Sequence, residues 1–277
     1  MKVKFICGRI ENPWAQEWFD MHHPNMEEYC SRHGYTYAKD LDWQASADRL
    51  GYVGARAENR DSLRPVIGNP PRWEVQNVVC QFNSAGCEFS GRISGCKHLL
   101  LEQLTDCDLL VWLGVDTVVT NMTIKLENVM PPHAHVALPL DDFGYECDSV
   151  IVRNSPEGIG IITDWISWML NESHPVWMNY GSTCIPSCAP DRWIAPDADP
   201  GEHGEWMRSH LYHDDAVLTA VCERYPEQAA RFHGFGKKEF CIKHIRWEAG
   251  DYIMHVPGSP NDHRTSYMKM GLENVVR

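Results

Sequence analysis

The segment Asp108-Leu109-Leu110-Val111-Trp112-Leu113-Gly114-Val115-Asp116-Thr117-Val118-Val119-Thr120-Asn121 decides how this chain is read. Five consecutive apolar residues between Asp108 and Gly114 leave no polar face, which predicts a strand covered on both sides in the middle of an α/β sheet. Ligands of open α/β sheets collect beyond the carboxyl ends of the strands, so Asp116 is placed where chemistry is expected. Outward from this segment the same alternation recurs. Val3 to Cys7 reads as a first strand, and Asn12-Pro13 as a helix start. Trp14, Trp18 and Met21 share one face of that helix, Pro24 interrupts it, and a second piece with Met26, Tyr29 and Cys30 runs to a cap at Gly34. Tyr35 to Ala38, His135 to Leu138, Ser149 to Val152 and Tyr252 to Val256 read as further strands. Cys96, Leu100, Leu101 and Leu104 mark a helix, as does Asp214 to Val221, and Asn154-Ser155-Pro156-Glu157 opens one whose face is Ile159, Ile162, Trp165, Ile166 and Met169.

The 277 residues are read as a single domain, 1–277, with 43% hydrophobic and 23% charged residues, enough to bury a core. Residues 40–91 read as an inserted loop region, with a local basic patch of Arg49, Arg56, Arg60, Arg64 and Arg72. Residues 174–205, dense in Pro, Gly and Cys, read as an irregular lid or binding loop. With 25 Lys+Arg against 38 Asp+Glu the net charge is -13, which argues against nucleic acid and anionic membranes as partners. An acidic protein binds an anionic small molecule when a divalent cation sits between its carboxylates and the ligand's phosphates. No stretch approaches the ~20 apolar residues of a membrane span and Met1 to Cys7 is too short for a leader core, so a cytoplasmic protein is expected. The odd number of cysteines, 11, without paired C-x2-C spacing, points to small buried thiols rather than a zinc site.

Val111 to Asn121 resembles the Asp-x-Asp segment of glycosyltransferases of the GT-A fold, and most the galactosyl-, xylosyl- and mannosyltransferase family, with Gly114 standing where the first Asp is usual. Other pieces follow in the same order. Lys97 matches an upstream basic residue, Asp141-Asp142 an acidic loop, and Cys147 to Ser155 an Asn-Ser-Gly strand from which Cys147, Asp148 and Ser149 depart. Asp214-Asp215-Ala216-Val217-Leu218 is similar to an Asp-Gln-x-x-Leu helix start, and His255-Val256-Pro257-Gly258 resembles the late His-x-x-Gly element of glycogenin-like enzymes.

The resemblance implies a Rossmann-like nucleotide-diphospho-sugar transferase domain with a mixed central sheet. It implies a nucleotide-sugar donor, UDP-sugar favoured, a glycan or other hydroxyl acceptor, and retention of configuration. Asp116 and His255 would hold Mn2+ or Mg2+, with Asp141 a further candidate for the shell. Asp142, Asp214 and Asp215 would act at the sugar, and Cys7, Arg9, Lys97, Val115, Asp141, Gly258 and Arg264 would line the donor site. A carboxylate with a neutral imidazole suits Mn2+ better than Ca2+. With Gly114 lacking a carboxylate, weak cation binding is expected, and Gly114→Asp is expected to tighten it. The rival readings are a relative that binds nucleotide sugar without turnover, a sugar nucleotidyltransferase, for which Cys7-Gly8-Arg9-Ile10 offers only one of the needed glycines, and a zinc-binding interaction module.

Overall fold

The structure, a computed structural model, describes residues 1–8, 16–41, 97, 99–140, 144–170, 218, 221–222, 225–257 and 261–277. Strand β1 is Val3–Gly8, helix α1 Gln16–His33 and β2 Thr36–Leu41. After a helical turn through 99–103 come β3 Leu109–Leu113, β4 Thr117–Val119, β5 Val136–Pro139 and β6 Ser149–Arg153. Helix α2 is Pro156–Leu170, and the one-turn helix α3 is Pro226–Ala229. Strands β7 Phe232–Phe235, β8 Cys241–Lys243 and β9 Ile253–His255 precede α4, Asn261–Glu273.

The main sheet is six-stranded in the order β2-β1-β3-β6-β5-β7. β6 runs antiparallel to both of its neighbours, while the other pairings are parallel. The sheet is therefore mixed, and the carboxyl ends of β1, β3, β5 and β7 share one edge with the amino end of β6. That polarity brings residue 148, just before β6, beside the turn that follows β3.

Strand β3 is central, as its unbroken apolar run requires. Leu110 and Trp112 face a cluster with Val136, Leu138, Val150, Val152 and the α2 residues Ile161, Ile162, Trp165 and Ile166. Leu109, Val111 and Leu113 face the other side, against Met26 and Tyr29 of α1. Burying these five side chains is worth on the order of 10 kcal/mol as an upper estimate. The buried face of α2 is Gly158, Ile161, Ile162, Trp165 and Ile166, a 3-1-3-1 spacing, and Ile159 is exposed. Ile162, Trp165 and Ile166 are buried as expected, whereas Ile159 faces outward and Ile161 and Gly158 complete the buried face. Gly158 sets the phase, because a Cβ there would collide with the carbonyl oxygen of Arg153.

Helix α1 also differs from expectation, running unbroken through Pro24. Pro24 and Asp20, whose carbonyl loses its usual N–H donor, are both exposed, which leaves the carbonyl accessible to water. The helix ends as expected at Gly34, in the left-handed region at φ 71°, where the Tyr35 N–H reaches back to the Cys30 carbonyl at 2.9 Å.

A second, three-stranded sheet in the order β4-β9-β8 was not anticipated. Its strands are only three residues long. β4 pairs with β9 along one edge, and its other edge is satisfied by side chains of α1. His22 Nδ1–H donates to the Thr117 carbonyl at 2.9 Å. Asn25 exchanges two bonds with Val119, at 3.0 and 2.8 Å. Among the described residues no helix is long and apolar enough to cross a membrane, and the described cysteines are buried thiols.

Candidate metal and donor site

Asp116 lies at the joint between the two sheets. β3 ends at Leu113, and Gly114-Val115-Asp116 turns the chain into β4, closed by the Thr117 hydroxyl donating to the Gly114 carbonyl at 2.8 Å. β4 and β9 pair with Thr117 opposite His255, and the Val256 N–H donates to the Asp116 carbonyl at 3.0 Å. His255 is the last residue of the central strand of the small sheet, and Lys243 of β8 flanks it on the other side. Two residues distant in sequence are thereby fixed side by side by backbone ladders.

The third member comes from β6. Leu113 pairs with Ser149, and the Gly114 N–H continues the ladder to the Asp148 carbonyl at 2.7 Å. The ligating atoms of Asp116, Asp148 and His255 lie within 4.8 Å of one another. His255 Nε2 is 3.6 Å from Asp116 Oδ1 and 3.7 Å from Asp148 Oδ2. Two atoms each about 2.1 Å from a shared ion at 90–120° lie roughly 3.0–3.6 Å apart, so these separations match an ion's coordination sphere.

Electrostatics favour a cation. Asp116 is 7% exposed and His255 1%. Burial works against the charged form of His255, but the carboxylates of Asp116, Glu146 and Asp148 outweigh it and raise its pKa to about 9. Burial likewise opposes ionisation of Asp116, and the His255 and Arg264 cations beside it hold its carboxyl below the usual carboxylate range. Despite this surrounding charge, His255 Nε2 is buried with no hydrogen-bond partner among the described residues. An imidazole nitrogen facing two carboxylates is a donor set that could hold a divalent ion, which would bind in competition with the imidazole proton. On the other ring nitrogen, Glu146 Oε2 lies 3.9 Å from His255 Nδ1 and is itself 3.7 Å from the ammonium of Lys243.

Of the other expected site residues, Arg264 comes into the cluster, its Nη1 3.3 Å from Asp116 Oδ2 and its guanidinium 4.3 Å over the Trp18 ring. Cys7 and Val115 border the same region, but their side chains are buried in an apolar cluster with Trp18, Val118, Met254 and Met268. They offer a ligand backbone rather than side chain. Lys97 is 1% exposed; its ammonium donates to the Cys147 carbonyl at 3.0 Å and lies 4.7 Å over the Trp165 ring. It braces the start of β6, next to Asp148. Arg9, Asp141, Asp142, Asp214, Asp215 and Gly258 lie outside the described residues.

Asp148 was not among the expected candidate ligands. In the sequence it is one of three departures from an expected strand opening, whereas in space it stands opposite Gly114 across the β3–β6 ladder. A carboxylate absent at 114 is thus present at the position paired with it on the neighbouring strand. Glu146 and Lys243 had no local signal at all. A separate concavity of about 530 Å³, lined by His133, His135, Glu157, Arg231 and His233 among others, opens at the amino ends of β5 and β7. It is on the opposite edge of the sheet and takes no part in this cluster.

No protein-family model matches the sequence, and no curated protein matches it either. Among solved structures, the chain is similar to a glycosyltransferase involved in the glycosylation of the major capsid of PBCV-1, with 13% identity over 98% of this chain and 100% of that one, at a TM-score of 0.52. Mouse xyloside xylosyltransferase 1 in its apo form aligns over 93% of this chain and 97% of its own with 9% identity and a TM-score of 0.42. The first likeness carries the fold, which is GT-A-like, with the mixed central sheet described above.

Proposed function

We propose that this chain is a divalent-cation-dependent glycosyltransferase that moves a sugar from a nucleoside-diphosphate donor, a UDP-sugar in the first instance, to a hydroxyl of a glycan or small acceptor. The observation that carries the reading is the buried Nε2 of His255 facing the carboxylates of Asp116 and Asp148 at 3.6 and 3.7 Å, beyond hydrogen-bond distance of either. Asp116, Asp148 and His255 would hold Mn2+ or Mg2+. When bound, the ion supplies Lewis acidity to the diphosphate as it leaves with growing negative charge.

The protein's own groups do the rest. The β4–β9 and β3–β6 ladders preorganise the three ligands, so little reorganisation accompanies loading. Glu146 lies beside the Nδ1 side of the imidazole and, with Lys243, orients the ring. Lys97 holds the Cys147 carbonyl and with it the approach of Asp148. In a retaining reaction a donor phosphate oxygen accepts the acceptor's hydroxyl proton, so no dedicated base is required. Asp142, Asp214 and Asp215, outside the described residues, are proposed to orient the sugar, and Arg9, Asp141 and Gly258 to complete the donor site.

The test is donor hydrolysis across a panel of nucleotide sugars with and without Mn2+, on wild type and Asp116→Ala. Cation-dependent turnover that Asp116→Ala abolishes is expected. Equal turnover in the variant removes the site assignment. Cation and UDP binding without any turnover would favour the non-catalytic reading.

A further inference from the structure

Arg264 makes an unusual set of contacts for an enclosed guanidinium. Its side chain is 16% exposed and lies over the Trp18 ring, with Nη1 at 3.3 Å from Asp116 Oδ2. Its Nε is buried with no hydrogen-bond partner among the described residues. Trp18 is itself 1% exposed and is tied to α4 by its indole N–H donating to the Thr265 hydroxyl at 3.2 Å. The ring therefore forms a fixed shelf under the guanidinium.

Both oxygens of Asp116 face a cationic side chain, Oδ1 toward His255 and Oδ2 toward Arg264. A divalent ion loaded between Asp116, Asp148 and His255 would stand next to the guanidinium and repel it at short range. An Arg fork with an unused Nε–H donor matches a phosphate better than the single oxygen it now faces. Arginine on a flat aromatic surface can slide in the plane of the ring without losing that contact.

Building on the function proposed above, we propose that Arg264 is a latch: it holds Asp116 while the cation is absent, and on cation loading it is released to the diphosphate of the donor. The consequence is thermodynamic coupling. The cation alone must displace Arg264 and binds weakly; cation and nucleotide together bind cooperatively, because the displaced guanidinium gains a partner. The two ligands then load as a unit, which disfavours a cation resting in the site without its donor.

The experiment is calorimetry of Mn2+ alone, and of UDP at saturating Mn2+, on wild type, Arg264→Gln and Arg264→Lys, with circular dichroism confirming that each variant is folded. For Arg264→Gln the latch predicts opposite changes: Mn2+ alone binds tighter, about three-fold or more, while UDP in the presence of Mn2+ binds roughly ten-fold weaker. Arg264→Lys, which keeps a charge but not the fork, should leave Mn2+ binding near wild type and still weaken UDP, and it serves as the test if the glutamine variant does not fold. If Arg264→Gln weakens Mn2+ alone, or moves both affinities in the same direction, Arg264 is a structural brace and the latch is wrong while the cation site stands. If wild type binds no Mn2+ at all, the site reading fails and the latch with it.

Discussion

Placing a methyl group at Gly114 puts the geometry of the cluster to a direct test. The backbone there does not require glycine, since the described glycines with positive φ are Gly34, Gly144 and Gly250. On chain entropy alone Gly114→Ala should therefore stabilise by about 0.4–1 kcal/mol. Opposing this, the new Cβ would sit 2.9 Å from Asp116 Oδ1, 3.4 Å from the Asp148 Cβ and 3.5 Å from the Asp148 carbonyl oxygen. An ordinary contact needs about 3.4 Å, so the Asp116 oxygen must retreat by roughly half an ångström, more than the ~0.2 Å that a coordination bond tolerates. Overpacking of this size costs about 1 kcal/mol or slightly more, which nearly cancels the entropy gain. The expected result is a melting temperature within a few degrees of wild type and Mn2+ affinity about ten-fold weaker, on the order of 1.4 kcal/mol. Gly114→Asp starts from the same clash, which displaces the Asp116 oxygen, so despite its added carboxylate it should not bind Mn2+ more tightly than wild type. This reverses the sequence expectation. Titration calorimetry on the two variants decides the matter: a tighter Gly114→Asp would show that the cluster has room for a carboxylate at 114 and would refute the argument that Asp148 has taken its place.

Three further outcomes follow from the same geometry. Asp148→Asn should weaken Mn2+ by roughly ten-fold in calorimetry, and by less than Asp116→Asn, because the Asp148 side chain is 57% exposed and water can stand in for it; equal loss in both would contradict this ranking. Asn25→Ala should destabilise by about 2–3 kcal/mol in urea unfolding, since it strands both the N–H and the carbonyl of Val119; a change under half of that would mean the β4 edge is satisfied otherwise. Burial lowers the pKa of His22 from 6.5 to about 4. The unfolded chain therefore takes up that proton first as pH falls, and the stability associated with neutral His22 is complete above about pH 6.5 and lost between there and about 4, up to roughly 3 kcal/mol. His22→Asn, which keeps a donor for the Thr117 carbonyl but does not titrate, should flatten this part of the stability profile, and identical profiles would rule the burial account out.

What the sequence made legible was local. The apolar run of β3, the Gly34 cap and the helix start at Pro156 each follow from a few adjacent residues, and the structure has all three. Asp116 and His255 were both placed at strand ends, and they meet. What could not be read depends on pairing. Strand β4 is too short to show a period, and β7 and β8 contain His233 and Lys243, which interrupt an apolar signal. Helix α4 has a mixed surface with no clear apolar stripe, so Arg264 could be named from its spacing after His255 but not placed on Trp18. Asp148 illustrates the limit best, because its significance lies in standing across a ladder from Gly114, and no inspection of either segment alone gives the register.

The pairing of Thr117 with His255 also has a meaning for biosynthesis. A ribosome delivers β3 and β4 long before β9, so the nascent chain carries Asp116 and Asp148 without their imidazole until His255 has been added. Only when β9 has emerged and slotted between β4 and β8 does a complete coordination set exist. On the function proposed above, a chain truncated before β9 could not load the cation, and a chain that had loaded it would have closed the pairing of β4 with β9.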